Sequence, residues 1–289
     1  MRSYLNLVAF SHTIFALPFA AIGYTLAVVQ PRYGFSWATL ALVLACMVFA
    51  RSAAMAFNRL VDAGIDARNP RTADRDIPAG RISRPRAAGF VVVNGVSFAV
   101  AAGLLNDLCL WLSPVALAVV LGYSYTKHFT WLCHVVLGLG LALAPVGAYL
   151  AVSGAFAWLP CLFGAVVLLW VSGFDVVYAL QDEAFDRSLG LNSVPTRFGR
   201  AGALRLSRLS HATCVLALAG ATYLMHEELG ASPVASLLGF GLFAAALAYQ
   251  HSIVSAGDLS RVNRAFFTAN GVASVAYAAV VIPGLVGGG

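Results

Sequence analysis

Two short acidic runs carry the chemistry of this chain. Asn58-x3-Asp62-x3-Asp66 ends one apolar segment, Asp182-x3-Asp186 ends another, and each leads into an arginine-rich loop. A carboxylate at the middle of a bilayer costs about 2.5–3.5 kcal/mol on insertion scales and less toward the ends. Four aspartates kept in two four-residue repeats therefore point to joint use. Residues four apart share a helix face. Asn58, Asp62 and Asp66 thus form one polar stripe, and Asp182 and Asp186 a second, with Asp175 and Tyr178 on the face of Asp182. Such stripes repel when they face each other unless counter-charge lies between them. Mg²⁺ supplies it, because it takes one or two carboxylates and completes its octahedron with water and phosphate oxygens. Zinc would require His or Cys beside the carboxylates, and calcium a tighter acidic loop with glycine. The expectation is a divalent-metal site that holds a phosphorylated substrate. The competing reading has the aspartates capping helix ends and pairing with loop arginines, which suits one Asp better than two matching rows.

Basic residues complete an anion site. Arg59, Arg68, Arg71, Arg75, Lys127, Arg197 and Arg200 all fall near the acidic runs or on the same side of the expected membrane. Lysine meets phosphate as a point charge and arginine as a fork. Each arginine alone reads first as a topology residue of a membrane loop. Lys127 differs: it is the only lysine of the chain, and it follows Tyr123 by four residues on one helical face. Arg51, seven residues before Asn58, shares the first stripe's face. His12 and Thr13, early in the first apolar run, read as packing residues.

The elements that must position these groups are membrane helices. The chain has 289 residues, 60% hydrophobic and only 10% charged, with mean hydropathy +0.83. A soluble domain carries about 25% charge. The expected fold is all-α and polytopic, with about nine transmembrane helices around a central cavity that opens to the cytoplasmic side. The expected spans lie near 5–29, 37–61, 87–105, 108–125, 131–153, 158–181, 202–225, 231–252 and 265–286. No soluble domain fits between them, so residues 1–289 read as one membrane-embedded domain. The net charge of +6 does not indicate nucleic acid, because the basic residues sit in short loops as membrane topology demands. The five cysteines are isolated, without CxxC or Cys/His spacing, and read as small buried hydrophobes.

Of the 18 Lys and Arg residues, Arg32 alone falls in a loop after an odd-numbered span. That asymmetry predicts a cytoplasmic N-terminus, both acidic runs at the cytoplasmic face, and an outer C-terminus. The first run, ending in Gln30-Pro31-Arg32, reads as a retained span rather than a cleaved signal. Ala16-Leu17-Pro18 with Gly23-Tyr24 is echoed by Ala144-Pro145 with Gly147 and Tyr149, which suggests two four-helix halves plus a ninth helix. Trp37, Trp111, Trp131 and Trp158 fall at span ends, as interfacial belts require.

The stretches Asn58-Arg-Leu-Val-Asp62-Ala-Gly-Ile-Asp66, Tyr123-Ser-Tyr-Thr-Lys127 and Asp175-Val-Val-Tyr178-Ala-Leu-Gln-Asp182-Glu-Ala-Phe-Asp186 resemble the UbiA family of membrane-embedded prenyltransferases. The flanking words Arg51-Ser-Ala-Ala-Met-Ala-Phe57, Asn69-Pro-Arg-Thr72 and Gly190-Leu-Asn-Ser-Val-Pro195 with Arg197-Phe-Gly199 resemble its bacterial 4-hydroxybenzoate polyprenyltransferase branch. One departure stands out: that branch often reads Asn-Asp where this chain reads Asn58-Arg59. A dihydroxynaphthoate of menaquinone biosynthesis is therefore the alternative acceptor to the 4-hydroxybenzoate of ubiquinone biosynthesis.

The resemblance implies an integral protein of the bacterial inner membrane whose substrates are a polyprenyl diphosphate and an aromatic acid. Asn58, Asp62 and Asp66 would hold one Mg²⁺, and Asp182 and Asp186 another. Lys127 would steady the leaving diphosphate, with Asn58, Tyr123, Tyr178, Arg68 and Arg197 binding substrate. Arg51 would meet the acceptor's carboxylate. The ring proton would pass to Asp175 or to the diphosphate, and Asp62, Asp182, Asp175 and Lys127 form the catalytic set. Chain length and oligomeric state are not encoded in these motifs. Two rivals use similar carboxylates: an ion-coupled transporter and a lipid-linked phosphotransferase. Transporter sites lie near the midplane on broken helices, whereas these runs close the cytoplasmic ends of spans.

Overall fold

The computed structural model describes residues 13–287. Residues 5–12 of the first expected span, His12 among them, lie outside the described residues, as does the side chain of Thr13. Helices account for the described secondary structure in this order. The first six are α1 (Thr13–Val28), α2 (Trp37–Val61), the single turn α3 (Ala63–Asp66), α4 (Arg84–Leu105), α5 (Asp107–Thr126) and α6 (Cys133–Ser153). Then come α7 (Trp158–Ala179), the short α8 (Glu183–Ser188), α9 (Val194–Leu229) and α10 (Pro233–Ser252). A π-helical turn (Arg264–Ala269) runs into α11 (Asn270–Val286).

Among the described residues seven helices are long and apolar enough to cross a membrane. Each of the nine expected spans corresponds to a helix, and two fall outside the seven. The described part of α1 is short, with Phe15–Val28 as its apolar stretch, and the 36-residue α9 carries arginines through its first half. Trp37, Trp111 and Trp158 are exposed by 77%, 78% and 86% near the first turns of their helices, as belt residues should be. Trp131 instead packs edge-on against Phe198, with ring centroids 5.2 Å apart.

Local chemistry sets the helix ends. Ser36 and Asn106 accept from the backbone N–H groups of Thr39 and Cys109 (3.3 and 2.9 Å), supplying N-caps to α2 and α5. Ser193 and Thr196 form a capping box at the start of α9. At Gly199 the backbone takes φ 67°, a conformation that needs glycine, so α9 is two helical pieces joined there.

The dense core packs α1, α6, α7, α9, α10 and α11 around Phe19, Phe163, Trp170, Phe243 and Tyr277. Trp170 Nε1 donates to Asn270 Oδ1 (2.7 Å), and Asn270 Nδ2 donates to the Ala265 and Phe266 carbonyls (2.9 and 3.0 Å). The buried indole N–H and the π-turn carbonyls are thereby satisfied together.

The two echoing segments of the sequence lie against each other, α1 on α6. A Cβ on Gly23 would collide with the backbone of Pro145, so this pair packs as close as small residues permit in membrane helices. Gly23→Ala is expected to lower stability by about 1–3 kcal/mol, the usual cost of overpacking. A lower Tm in detergent checks this, and an unchanged Tm would contradict the close approach.

The second group, α2, α4, α5 and α6, packs more loosely around an apolar cavity of about 330 Å³. Val43, Met47, Leu112 and Leu141 line it, and Arg51, Ser113 and Tyr123 are among its polar lining groups. The cysteines remain thiols, with Cys46 and Cys109 on the cavity wall.

Candidate active site

Both acidic runs fall where a long helix stops. α2 ends at Val61, Asp62 is its C-cap, and α3 restarts at Ala63. α7 ends at Ala179, and Asp182 is the N-cap of α8. Neither stripe lies on one unbroken helix, yet the four-residue spacing survives. The Asp66 N–H donates to the Asp62 carbonyl, and the Asp186 N–H to the Asp182 carbonyl, both at 2.8 Å.

The loop after α3 brings the runs together. Ile77 and Ile82 anchor it by packing with Ala56 and Ala87. Arg81 staples it internally, pairing with Asp76 at 2.8 Å and Asp74 at 2.9 Å. From this loop Arg71 reaches Asp182 with a forked contact (Nη2–Oδ2 2.5 Å, Nε–Oδ1 3.0 Å). Asn69 Nδ2 also donates to Asp182 Oδ1 (3.3 Å). Four residues on, Arg75 Nη1 donates to both oxygens of Asp66 (2.7 and 2.9 Å). One loop therefore grips an aspartate of each run, residues more than a hundred positions apart.

Lys127, the C-cap of α5, adds the third cation: its Nζ lies 2.6 Å from Asp62 Oδ2. Asn58 Nδ2 donates to the same oxygen at 3.1 Å, while Asp62 Oδ1 is buried without a hydrogen-bond partner. Burial raises the Asp62 carboxyl above the ordinary range, and the Lys127 charge opposes that rise. Asp186 is pushed up to about 6, first by burial and then by the neighbouring Asp182.

Tyr178 joins the polar end through its hydroxyl, which accepts from Arg71 Nη1 (3.2 Å), and the Arg71 guanidinium lies 5.6 Å from its ring centre. Tyr123 is close enough to Asp62, Asp175, Arg51 and Arg59 to feel their charges. Because Arg51 and Tyr123 also line the apolar cavity, the cavity's polar end meets the acidic rows.

Some expected ligands lie elsewhere. Arg68 is exposed, its Nε donating to the Gly64 carbonyl (3.1 Å). Arg197 is exposed above the Phe198 ring, 5.9 Å from its centre. Arg200 pairs with Glu183 at 3.1 Å. Sequence reasoning missed His134, whose Nδ1 lies 2.6 Å from Asp175 Oδ2. The signal was available: a His and an Asp, each inside an apolar span, are costly unless they meet.

The donors fit a hard cation: carboxylate and amide oxygens, with a buried Asp62 Oδ1 that nothing else satisfies. Among the described residues, however, no three His, Cys, Asp or Glu side chains gather around one point. Asp62, Asp66 and Asp182 are instead each neutralised by a cation of the chain itself.

Comparison with known proteins adds to this picture. The family model described as the UbiA prenyltransferase family matches residues 16–271. The 4-hydroxybenzoate octaprenyltransferase of Aeromonas hydrophila is 32% identical over 253 residues, 85% of this chain and 83% of that protein. The enzyme of the same name from Edwardsiella ictaluri is 30% identical over 245 residues, 84% of this chain and 83% of that one. Among solved structures, a UbiA homolog from Aeropyrum pernix in its apo form superposes with TM-score 0.82 at 36% identity, covering 94% of this chain and 97% of that one. A UbiA homolog from Archaeoglobus fulgidus, bound to GPP and Mg²⁺, shares the fold at TM-score 0.76 and 19% identity, covering 99% of each chain.

Proposed function

The chain belongs to the UbiA prenyltransferase family, and from that premise we propose that it transfers a polyprenyl group from its diphosphate to a ring carbon of 4-hydroxybenzoate. Membership removes the transporter reading. The observation that carries the proposal is the single loop whose Arg71 and Arg75 hold Asp182 and Asp66, with Lys127 on Asp62 beside them. It supports one anion-binding centre between the two rows. The names of the curated relatives favour 4-hydroxybenzoate as acceptor, and the GPP and Mg²⁺ bound by the Archaeoglobus fulgidus homolog favour a metal-assisted diphosphate site.

Asn58, Asp62 and Asp66 would hold one Mg²⁺, and Asp182 and Asp186 the other. When bound, Mg²⁺ supplies positive charge that stabilises a departing diphosphate. Lys127, Arg71 and Arg75 are the cations within reach of that same head, as a point charge and two forks. The allylic C–O bond breaks with its electron pair leaving on the diphosphate. The apolar cavity receives the prenyl chain and keeps water from the resulting cation. Arg51, at the polar lining of that cavity, suits the acceptor's carboxylate. A π pair of the acceptor ring forms the new C–C bond, and the proton on that carbon is then lost. We place the whole chain in one membrane-embedded domain, two four-helix halves plus a ninth helix, with the acidic rows at the cytoplasmic face of the bacterial inner membrane.

The test is direct. Membranes containing the protein are incubated with Mg²⁺, a polyprenyl diphosphate, and either 4-hydroxybenzoate or 1,4-dihydroxy-6-naphthoate, and products are identified by mass. Prenylated 4-hydroxybenzoate is expected. Prenylation of the naphthoate alone moves the enzyme to the menaquinone route, and a phosphoryl-transfer product overturns the reaction.

Asp186 gives the site a pH dependence. Its folded-state pKa, about 6, lies above the ordinary 3.8. In metal-free protein the stability linked to this group is therefore full below the ordinary value and lost as pH rises through about 6. Metal binding needs the carboxylate and runs the other way. Mg²⁺ affinity, read from the Mg²⁺-induced rise in Tm, is expected to weaken as pH falls through about 6. Asp186→Asn should bind more weakly at neutral pH and vary less across that range.

A further inference from the structure

His134 stands in the first turn of α6, and Asp175 in the last turns of α7. The two helices touch closely one turn away, at Gly138. A Cβ there would collide with the Leu168 carbonyl and the Ser172 hydroxyl. Gly138 is four residues after His134 and Ser172 three before Asp175, so this contact sets the register that brings the pair face to face.

The imidazole is held on both sides. Its Nε2 accepts from the backbone N–H of Val194 (3.3 Å), at the capped start of α9. Nδ1 must then carry the proton of the neutral ring, and it donates to Asp175 Oδ2 (2.6 Å). The arrangement is one-sided: His134 keeps 5% of its side chain open and Asp175 21%. Asp175 thus has a closed back, occupied by a fixed donor, and an open front. Tyr123, which lines the cavity, lies within electrostatic range of both Asp62 and Asp175.

We propose that His134 is the positioning residue that aims Asp175 as the base for the ring proton, an inference that rests on the prenyl transfer proposed above. Once the diphosphate has left with the C–O electron pair and the acceptor carbon has bonded to the prenyl C1, that carbon's proton passes to Asp175 and the ring regains aromaticity. The His134 N–H stays on Oδ2 throughout, so the other oxygen is the one presented to the substrate.

The experiment compares wild type, His134→Phe and His134→Asn in Mg²⁺, polyprenyl diphosphate and 4-hydroxybenzoate, with the acceptor either unlabelled or deuterated at its reacting ring position. His134→Phe fills the space without the donor. It should lose about tenfold or more in kcat, part of the 10²–10⁴ that a positioned base contributes. Its KM for the diphosphate should stay at the wild-type value, and its ring-deuterium isotope effect should exceed the wild type's. His134→Asn, whose amide can reproduce the Nδ1 donor, should recover most of kcat. The role is overturned if the Phe variant keeps wild-type kcat, if kcat falls with no change in isotope effect, or if Asn rescues no better than Phe. Should the Phe variant not fold, His134→Gln, which carries its donor beyond the Nδ1 position, is read by the same criteria. Absence of product from wild type itself overturns the prenyl-transfer reading instead.

Discussion

Asp62→Ala abolishes prenyl transfer while leaving a folded, membrane-inserted protein. The expected loss is on the order of 10²–10³-fold or more in rate, the scale at which single charge-stabilising groups act in closed sites. Asp62 is the most enclosed member of the rows, 4% exposed. One of its oxygens holds Lys127 and Asn58, and the other is buried with nothing to satisfy it. Burial raises its carboxyl above the ordinary range, so at neutral pH the metal-free protein carries this charge at a cost that a second cation would offset. Removing it should leave the metal-free Tm near wild type, because Lys127 keeps 26% of its side chain in solvent and can hydrate. The Mg²⁺-dependent rise in Tm should disappear. Asp182→Ala is expected to behave alike, with Arg71 released to water. Wild-type turnover in either variant would remove the metal assignment from these rows.

Lys127→Met loses activity by a comparable factor but lowers stability and changes its response to Mg²⁺ in the opposite way. The substitution keeps the length of the side chain and deletes its charge, leaving Asp62 without its ion-pair partner. Breaking a fully buried pair costs roughly 3–5 kcal/mol; the cost here is smaller because of Lys127's exposure. Metal-free Tm should fall, and Mg²⁺ should raise it by more than in wild type, since the cation replaces a missing charge as well as filling its own place. Lys127→Arg should restore the metal-free Tm but only part of the activity, because a planar fork does not substitute for a point charge. Wild-type activity in Lys127→Met, or an unchanged response to Mg²⁺, would remove Lys127 from the anion site.

Much of the candidate site was legible because its signals are short-range. Asn58, Asp62 and Asp66, like Asp182 and Asp186, announce themselves by four-residue spacing at the ends of apolar runs, and Lys127 by following Tyr123 in the same way. The ends of the two apolar runs, near 61 and 181, were legible, but the break in the helix inside each stripe was not: nothing in Val61-Asp62-Ala63 or Ala179 to Asp182 breaks a helix by propensity, and the breaks come from how the loops close over the bundle. The choice among cations was equally hidden. Arg68, Arg71 and Arg75 are interchangeable as loop arginines, yet Arg71 and Arg75 meet the acidic rows while Arg68 turns back on its own helix end. His134 gave only the weak signal of a lone intramembrane histidine, since its partner lies on another span.

Hydropathy, charge placement and helical spacing are periodic properties of adjacent residues. From them alone the chain was bound to be an all-helical membrane protein with two aspartate rows at helix ends, and its motifs already matched the family. Which groups face one another is a property of packing. The convergence of the rows under one loop, the pairing of three aspartates with three particular cations, and the histidine behind Asp175 depend on Gly138 letting two helices touch and on Ile77 and Ile82 pinning the loop. Contacts between residues so far apart in the chain are set by the bundle as a whole, and no local pattern carries them.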